Sequence, residues 1–129
     1  MKKNPMASEF AMQKFAAAIE GLGEVVDYES DILESNGNPD YNKINARKTR
    51  GLRDLNQAMG EVSVYLNDNM EESIARLLQG LQKKLERNSD LLKIHLEAVS
   101  ELSQMMQMAV RSEETDGTYD PFSVKIGHP

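Results

Sequence analysis

Residues 74–109 read IARLLQGLQKKLERNSDLLKIHLEAVSELSQMMQMA, and this stretch decides the fold. Its apolar positions recur at alternating spacings of four and three residues without a slip, which is typical of an amphipathic helix that packs in coiled-coil fashion. Asn88 and His95 occupy two of these positions, where polar side chains favour one helix register over others. The other members of the pattern are Ile74, Leu78, Leu81, Leu85, Leu92, Val99, Leu102, Met106 and Ala109. A long third helix is therefore predicted over residues 70–112.

Two shorter helices are predicted before it, over residues 8–36 and 39–67, because their apolar residues also recur at helical spacing. Each pattern contains one charged member, Glu29 in the first helix and Lys48 in the second. The first pattern consists of Met12, Phe15, Ile19, Leu22, Val26 and Leu33, and the second of Tyr41, Ile44, Leu52, Leu55, Met59, Val62 and Leu66. The predicted fold is all-α: an antiparallel helical hairpin plus a longer third helix, in a three-helix, coiled-coil-like bundle.

The segments between the helices carry turn and capping signals. Gly37 is predicted to take the left-handed position that ends the first helix, with Asn38 as the N-cap and Pro39 as the first residue of the second. Asn69 and Glu72 resemble a capping box for the third helix, although a bent continuous helix through residues 67–69 stays open. Residues 113–129 show no periodicity and are predicted to be an irregular or disordered tail.

Composition narrows the functional class. The chain has 129 residues, which is enough for one helical domain over residues 1–112. It has no cysteine, so no disulfide or thiolate site is possible. Its net charge of −6 argues against nucleic acid as the main partner, because nucleic-acid binding relies on an excess of Lys and Arg. No apolar run is long enough to span a membrane and no signal peptide is present, so a cytoplasmic location is expected. No catalytic, cofactor-binding or metal-ligating motif is found, and the protein is not expected to be an enzyme.

The charges are unevenly distributed along the two shorter helices. A basic cluster on the second helix lies beside an acidic half of the first if the two form an antiparallel hairpin. Charge pairing that sets the orientation of these helices is the favoured interpretation, and contact with phosphates or an acidic partner is the alternative. The basic residues are Arg47, Lys48, Arg50 and Arg53, and the acidic residues are Glu20, Glu24, Asp27, Glu29, Asp31 and Glu34.

The third helix is predicted to be longer than the other two, which leaves part of it uncovered in an antiparallel bundle. The uncovered part, after about residue 97, is rich in methionine, whose flexible side chain suits surfaces that accept partner helices. A second copy of the chain or the tail could cover it instead. The candidate partner-binding residues are Val99, Leu102, Met105, Met106, Met108 and Val110.

Three stretches together resemble the FlgN family of flagellar export chaperones in its alphaproteobacterial form. They read NARKTRGLRDLNQAM at 45–59, LERNSDLLKIHLEAVSEL at 85–102 and SEETDGTYD at 112–120. The resemblance implies a cytoplasmic chaperone of long antiparallel helices that binds flagellar hook-associated proteins and delivers them to the type III export apparatus. It also implies that the C-terminal helix binds the client. The alternative is a homo-oligomeric coiled-coil protein without a client, and the chain is expected to be a monomer or a homodimer.

Overall fold

The structure, a computed structural model, describes residues 5–115, and the side chains of residues 6–112. It contains three α-helices: α1 over Pro5–Glu34, α2 over Tyr41–Ser63 and α3 over Asp68–Thr115. No β-strand occurs among the described residues. The all-α fold predicted from the sequence, with a third helix longer than the other two, is confirmed.

The chain divides into two compact units, Met1–Leu92 and Lys93–Pro129. The first unit contains α1, α2 and the first half of α3. The described part of the second unit is the remainder of α3. The helix bounds differ from the predicted ones by a few residues, and α3 continues to Thr115 instead of ending at residue 112. The predicted tail lies outside the described residues from residue 116 onward.

The core of the first unit is formed by the apolar face of α1 and by parts of α2 and α3. Phe15, Leu22 and Val26 of α1 are 2% exposed or less, and burying a side chain of this size contributes roughly 1.5–3 kcal/mol. Leu55 and Val62 of α2 are buried against them. The other buried apolar residues are Ala11, Ile19, Leu33, Ile44, Ala58, Ile74 and Leu81. The apolar face that the sequence predicts for the first helix is therefore the one that is buried.

The second helix departs from its predicted pattern. Leu52 and Met59 of α2, and Leu66 just after its C-terminal end, recur at seven-residue spacing and are between 38% and 50% exposed. Ala58, which the pattern omitted, is 4% exposed instead. The difference arises because α1 contacts a side of α2 that is rotated away from the centre of the apolar face.

α1 and α2 are the most closely packed pair of helices in the first unit. Gly51 of α2 faces Leu22 of α1 so closely that a Cβ atom on Gly51 would lie 3.0 Å from Leu22 Cδ1 and 3.5 Å from Leu22 Cα. A glycine inside a helix costs about 1 kcal/mol relative to alanine. Gly51 therefore lowers the intrinsic stability of α2 but allows the backbones of α1 and α2 to approach closely.

The turn between α1 and α2 is built differently from the prediction. Asn36, not Gly37, takes the left-handed conformation, with φ of 61°. Asn36 N–H donates to the Leu33 carbonyl at 3.1 Å and Gly37 N–H donates to the Ile32 carbonyl at 2.8 Å, a Schellman arrangement in which Asn tolerates the left-handed position. Gly37 is needed for space, because a Cβ there would lie 2.9 Å from Ile32 Cγ2.

The N-caps of α2 and α3 also differ from the predicted ones. Asp40, not Asn38, caps α2, and its carboxylate accepts from Lys43 N–H at 3.2 Å. Asn67, not Asn69, caps α3, and its side-chain oxygen accepts from Met70 N–H at 3.0 Å. Each cap is the nearest side-chain acceptor before the first helical turn, where backbone N–H groups lack carbonyl partners. α2 and α3 are thus two separate helices.

The close packing of Gly51 against α1 predicts opposite effects on stability for alanine substitutions at two glycines of α2. Gly60→Ala is expected to raise the free energy of unfolding by up to about 1 kcal/mol, because nothing lies within 4 Å of the added methyl group. Gly51→Ala is expected to lose that gain or to destabilise, because the methyl group meets Leu22. Urea unfolding of both variants measures the difference. Equal stabilisation by the two substitutions would contradict the close approach.

Candidate binding surface on the third helix

Four polar side chains among the described residues form one group, called here the buried polar cluster: Glu29, Ser30 and Asn88, which are buried, and Lys48, which is half-buried. Lys48 Nζ donates to Glu29 Oε1 and, at 3.3 Å, to Asn88 Oδ1. Asn88 Nδ2 donates to Glu29 Oε1 at 2.9 Å and to Ser30 Oγ at 3.1 Å. Glu29, Ser30 and Asn88 are 4% exposed or less. The cluster joins α1, α2 and α3 through a single carboxylate.

The geometry of the buried polar cluster suits a structural role. A carboxylate, an ammonium group and an amide that hydrogen-bond to one another fix the register of three helices, since any slip would leave a buried charge unpaired. Glu29 Oε2 is buried without a hydrogen-bond partner among the described residues, so the carboxylate depends on Oε1 for its stabilisation. The charge of Glu29 also reaches Tyr41, whose pKa is raised first by partial burial and second by this carboxylate.

Ion pairs at the surface connect α1 mainly to α3, which differs from the predicted pairing with α2. Lys84 pairs with Asp27 at 2.9 Å. Arg87 pairs with Asp31 at 3.0 Å and with Glu34. The hydrogen bonds that Arg87 donates to Glu34 and then to Asp31 raise the pKa of Arg87. Of the predicted basic cluster on α2, Lys48 alone pairs with an acidic residue of α1. Arg47, Arg50 and Arg53 form no ion pair with any described residue.

The buried polar cluster predicts a large loss of stability when its cation is removed. Lys48→Met would leave the Glu29 carboxylate buried without its counter-charge, and a loss of about 3–5 kcal/mol in the free energy of unfolding is expected. The matched control is Lys14→Met, which removes the exposed pair of Lys14 with Glu61, 3.0 Å apart, and is expected to cost less than about 1 kcal/mol. Chemical denaturation measures both. Losses of equal size would show that the cluster is no more than a surface pair.

Groups that could perform chemistry are sparse in the described part of the chain. Residues 6–112 contain no group of three His, Asp or Glu side chains arranged to hold a metal ion. His95 is half-buried on α3 and has an interaction partner of its own, and His128 lies outside the described residues. No described helix is long and apolar enough to cross a lipid bilayer.

The predicted partner-binding residues all lie on α3 in the second unit. Val99, Leu102, Met105, Met106 and Met108 are between 51% and 65% exposed, and Val110 is half-buried. Apolar side chains exposed in succession along a helix are typical of a binding surface, whereas scattered ones are not. The exposure of these residues makes this part of α3 the candidate site.

Helix geometry separates the six candidates into two groups. At about 100° per residue, Val99, Leu102, Met106 and Val110 lie within an arc of about 80° and form one continuous face, called here the C-terminal stripe. Met105 lies at the edge of this face. Met108 lies about 180° from Val99, so it cannot contact the same partner helix as the C-terminal stripe. The sequence prediction grouped all six because it used their proximity along the chain.

The C-terminal stripe is bordered by uncharged residues. Ser103 and Gln107 flank it on one side, and Ala98 and Ala109 on the other, by the same helical geometry. Leu96, which was not among the predicted site residues, extends the flank and is 66% exposed. The charged residues lie on the opposite side of the helix, and they are Lys93, Glu97, Glu101 and Arg111. A helical wheel drawn from the sequence would have identified Leu96 and excluded Met108.

Comparison with known proteins identifies no relative of this chain. No protein-family model, no curated protein and no solved structure matches it. The class of protein is defined by the fold alone, as an all-α helical-bundle protein.

Proposed function

We propose that this protein binds an amphipathic helix of another polypeptide through the C-terminal stripe and acts as a chaperone for it. The observation that carries the proposal is the exposure of Val99, Leu102 and Met106, at 51–63%, on a charge-free side of α3. Water contact with such a surface is unfavourable by roughly 25 cal/mol for each Å² of apolar area. A client helix with its own apolar face would relieve this penalty on both partners.

The mode of binding that fits the stripe is helix against helix. Apolar residues at spacings of three, four and four residues, from Val99 to Val110, match the anchor positions of an amphipathic client helix. Methionine at position 106 adapts to anchors of different shape because its side chain is unbranched and polarizable. The uncharged borders select a client whose flanking residues are also uncharged, since a charged flank would lose hydration without gaining a partner.

The size of the stripe suits reversible binding. From Leu96 to Val110 the helix rises about 21 Å, so one client helix would bury less than the ~1,200 Å² at which standard protein interfaces begin. Interfaces of this size belong to weak and transient complexes. A chaperone that must release its client requires an interface of this kind.

The resemblance of residues 45–59, 85–102 and 112–120 to the FlgN family supports a more specific proposal. In that proposal the clients are flagellar hook-associated proteins, the acceptor of the complex is the type III export apparatus, and the protein acts in the cytoplasm. The C-terminal stripe supports it in one respect, because that family binds clients through its C-terminal helix. Catalysis and cofactors have no part in this function.

The proposal predicts different effects for two methionines of nearly equal exposure. Met106→Asp is expected to weaken client binding at least tenfold, which corresponds to about 1.4 kcal/mol, because it puts a charge into the apolar contact. Met108→Asp adds the same charge on the opposite side of the helix. It is expected to change the affinity less than about twofold, well below the tenfold loss expected for Met106→Asp. Fluorescence anisotropy with labelled C-terminal helices of hook-associated proteins measures both.

Two further results of this titration are informative. A designed amphipathic helix with uncharged flanks and no flagellar sequence serves as the second probe. If it binds as tightly as the hook-associated helices and is weakened by Met106→Asp, helix binding stands and the flagellar assignment fails. If neither probe binds the unmodified chain, or if Met106→Asp and Met108→Asp weaken binding equally, the stripe is not a client site.

A further inference from the structure

The first unit has a second apolar surface, in the groove between α2 and α3. Part of this groove is lined by Met59 and Val62 of α2, by Leu66 just after α2, and by Ile74, Ala75 and Leu78 of α3. Met59 and Leu66 are 38% and 44% exposed, and Leu52 and Leu85 are 50% and 42% exposed. The contact of Lys48 with Asn88 places Leu52, one turn after Lys48, near Leu85, one turn before Asn88. The exposed leucines therefore continue the same groove.

The groove is almost free of charge along its length. On its α2 side the exposed residues at helical spacing are Thr49, Leu52, Asn56, Met59, Ser63 and Leu66. On its α3 side they are Ala75, Gln82, Leu85 and Ser89, with the half-buried Leu78 between them. Glu71 is the one charged residue that lines the groove between Met59 of α2 and Leu78 of α3, and it lies at the end of the groove.

The other two grooves of the first unit carry charges. The α1/α2 groove is lined by Lys14, Asp54 and Glu61 toward the C-terminal end of α2, and by Arg47 and Arg50 further along. The α1/α3 groove is lined by Glu20, Arg76 and Lys84, and the ion pair of Lys84 with Asp27 crosses it. The α2/α3 groove thus differs from both in being apolar and almost free of charge.

We propose that the occupant of the α2/α3 groove is the same groove of a second copy of this chain. A two-fold contact brings one surface against itself, so any net charge on that surface meets its own sign. The chain carries a net charge of −6, and two copies repel one another wherever their charged faces meet. Of the three grooves, the α2/α3 groove is lined by the fewest charged residues, so this repulsion is smallest there.

The area agrees with a dimer that depends on concentration. From Glu71 to Ser89, α3 rises about 27 Å along the groove, and two neighbouring helices present a width of about 20 Å. A two-fold contact would bury about 1,000 Å² over both copies, which is the lower limit for specific interfaces. A foreign helix with charged flanks would find no counter-charge along most of this groove, so the second copy is the better fit.

The test is the mass of the full chain by sedimentation equilibrium across the micromolar to millimolar range. The unmodified chain is expected to pass from 14.5 kDa to twice that mass as its concentration rises. Leu52→Glu combined with Met59→Glu is expected to remain at the mass of one chain. Ile94→Glu and Leu96→Glu, which add the same charge at exposed positions of the second unit, are expected to leave the dimer intact.

A second measurement keeps the test independent of folding in the double variant. Because the chain has no cysteine, a single spin label can be attached in the groove through Asn56→Cys. A label attached through Glu24→Cys lies on α1 instead. The label at position 56 is expected to show dipolar coupling between copies at concentrations that form the dimer, and the label at position 24 is expected to show none.

Three outcomes would overturn the inference: a single-chain mass at every concentration, a dimer that survives the groove substitutions, or coupling at position 24 without coupling at position 56. A dimer abolished by Met106→Asp and retained in the groove variant would place self-association on the C-terminal stripe. That result would overturn the groove inference and remove the stripe as a client site. Loss of client binding alone, with a groove dimer intact, would overturn the proposed function only.

Discussion

The burial of one carboxylate constrains the arrangement of the three helices. Glu29 lies in the middle of an otherwise apolar face of α1, where an unpaired charge would be strongly destabilising. The fold compensates by bringing Lys48 from α2 and Asn88 from α3 to the same oxygen atom. Only one register of α2 and α3 against α1 satisfies this requirement. A purely apolar face would have permitted neighbouring registers with similar energy.

This register also determines which surfaces remain exposed. With Lys48 directed toward Glu29, the line of Leu52, Met59 and Leu66 borders the groove between α2 and α3 instead of entering the core. The ion pairs of Lys84 and Arg87 connect α3 to α1. Ion pairs thereby lie along the α1/α3 side of the first unit, and the exposed apolar residues Leu52, Met59 and Leu85 lie along the groove between α2 and α3. The second unit repeats this separation on a single helix, with the C-terminal stripe on one side and its charges on the other.

The two exposed surfaces are proposed to serve different partners because they differ in form. The C-terminal stripe is one face of one helix, which presents a narrow row of anchors and suits a single client helix that must later leave. The α2/α3 groove is formed by two helices and is wider, which suits a contact with an equally wide surface. Because the two surfaces share no residue, client binding and self-association can be altered separately.

Much of the local structure was determined by the sequence itself. The helical spacing of apolar residues predicted three helices and the buried face of α1, since this periodicity depends only on the geometry of the helix. The same geometry applied to residues 96–110 would have separated Met108 from the C-terminal stripe. The caps were less predictable, because Asn36, Gly37, Asn38 and Asp40 are all chemically able to end or begin a helix.

Only the tertiary structure decided how the polar residues are matched. Glu29, Lys48 and Asn88 are separated by 19 and 40 residues in the chain, and each interrupted its own apolar pattern without any signal that the three meet. The structure likewise paired Asp27, Asp31 and Glu34 of α1 with Lys84 and Arg87 of α3 instead of with the arginines of α2. Sequence periodicity defines the apolar face of each helix by itself. Which part of that face is buried, and which charges become neighbours, depends on rotation and register between helices, and these are fixed only when all three pack together.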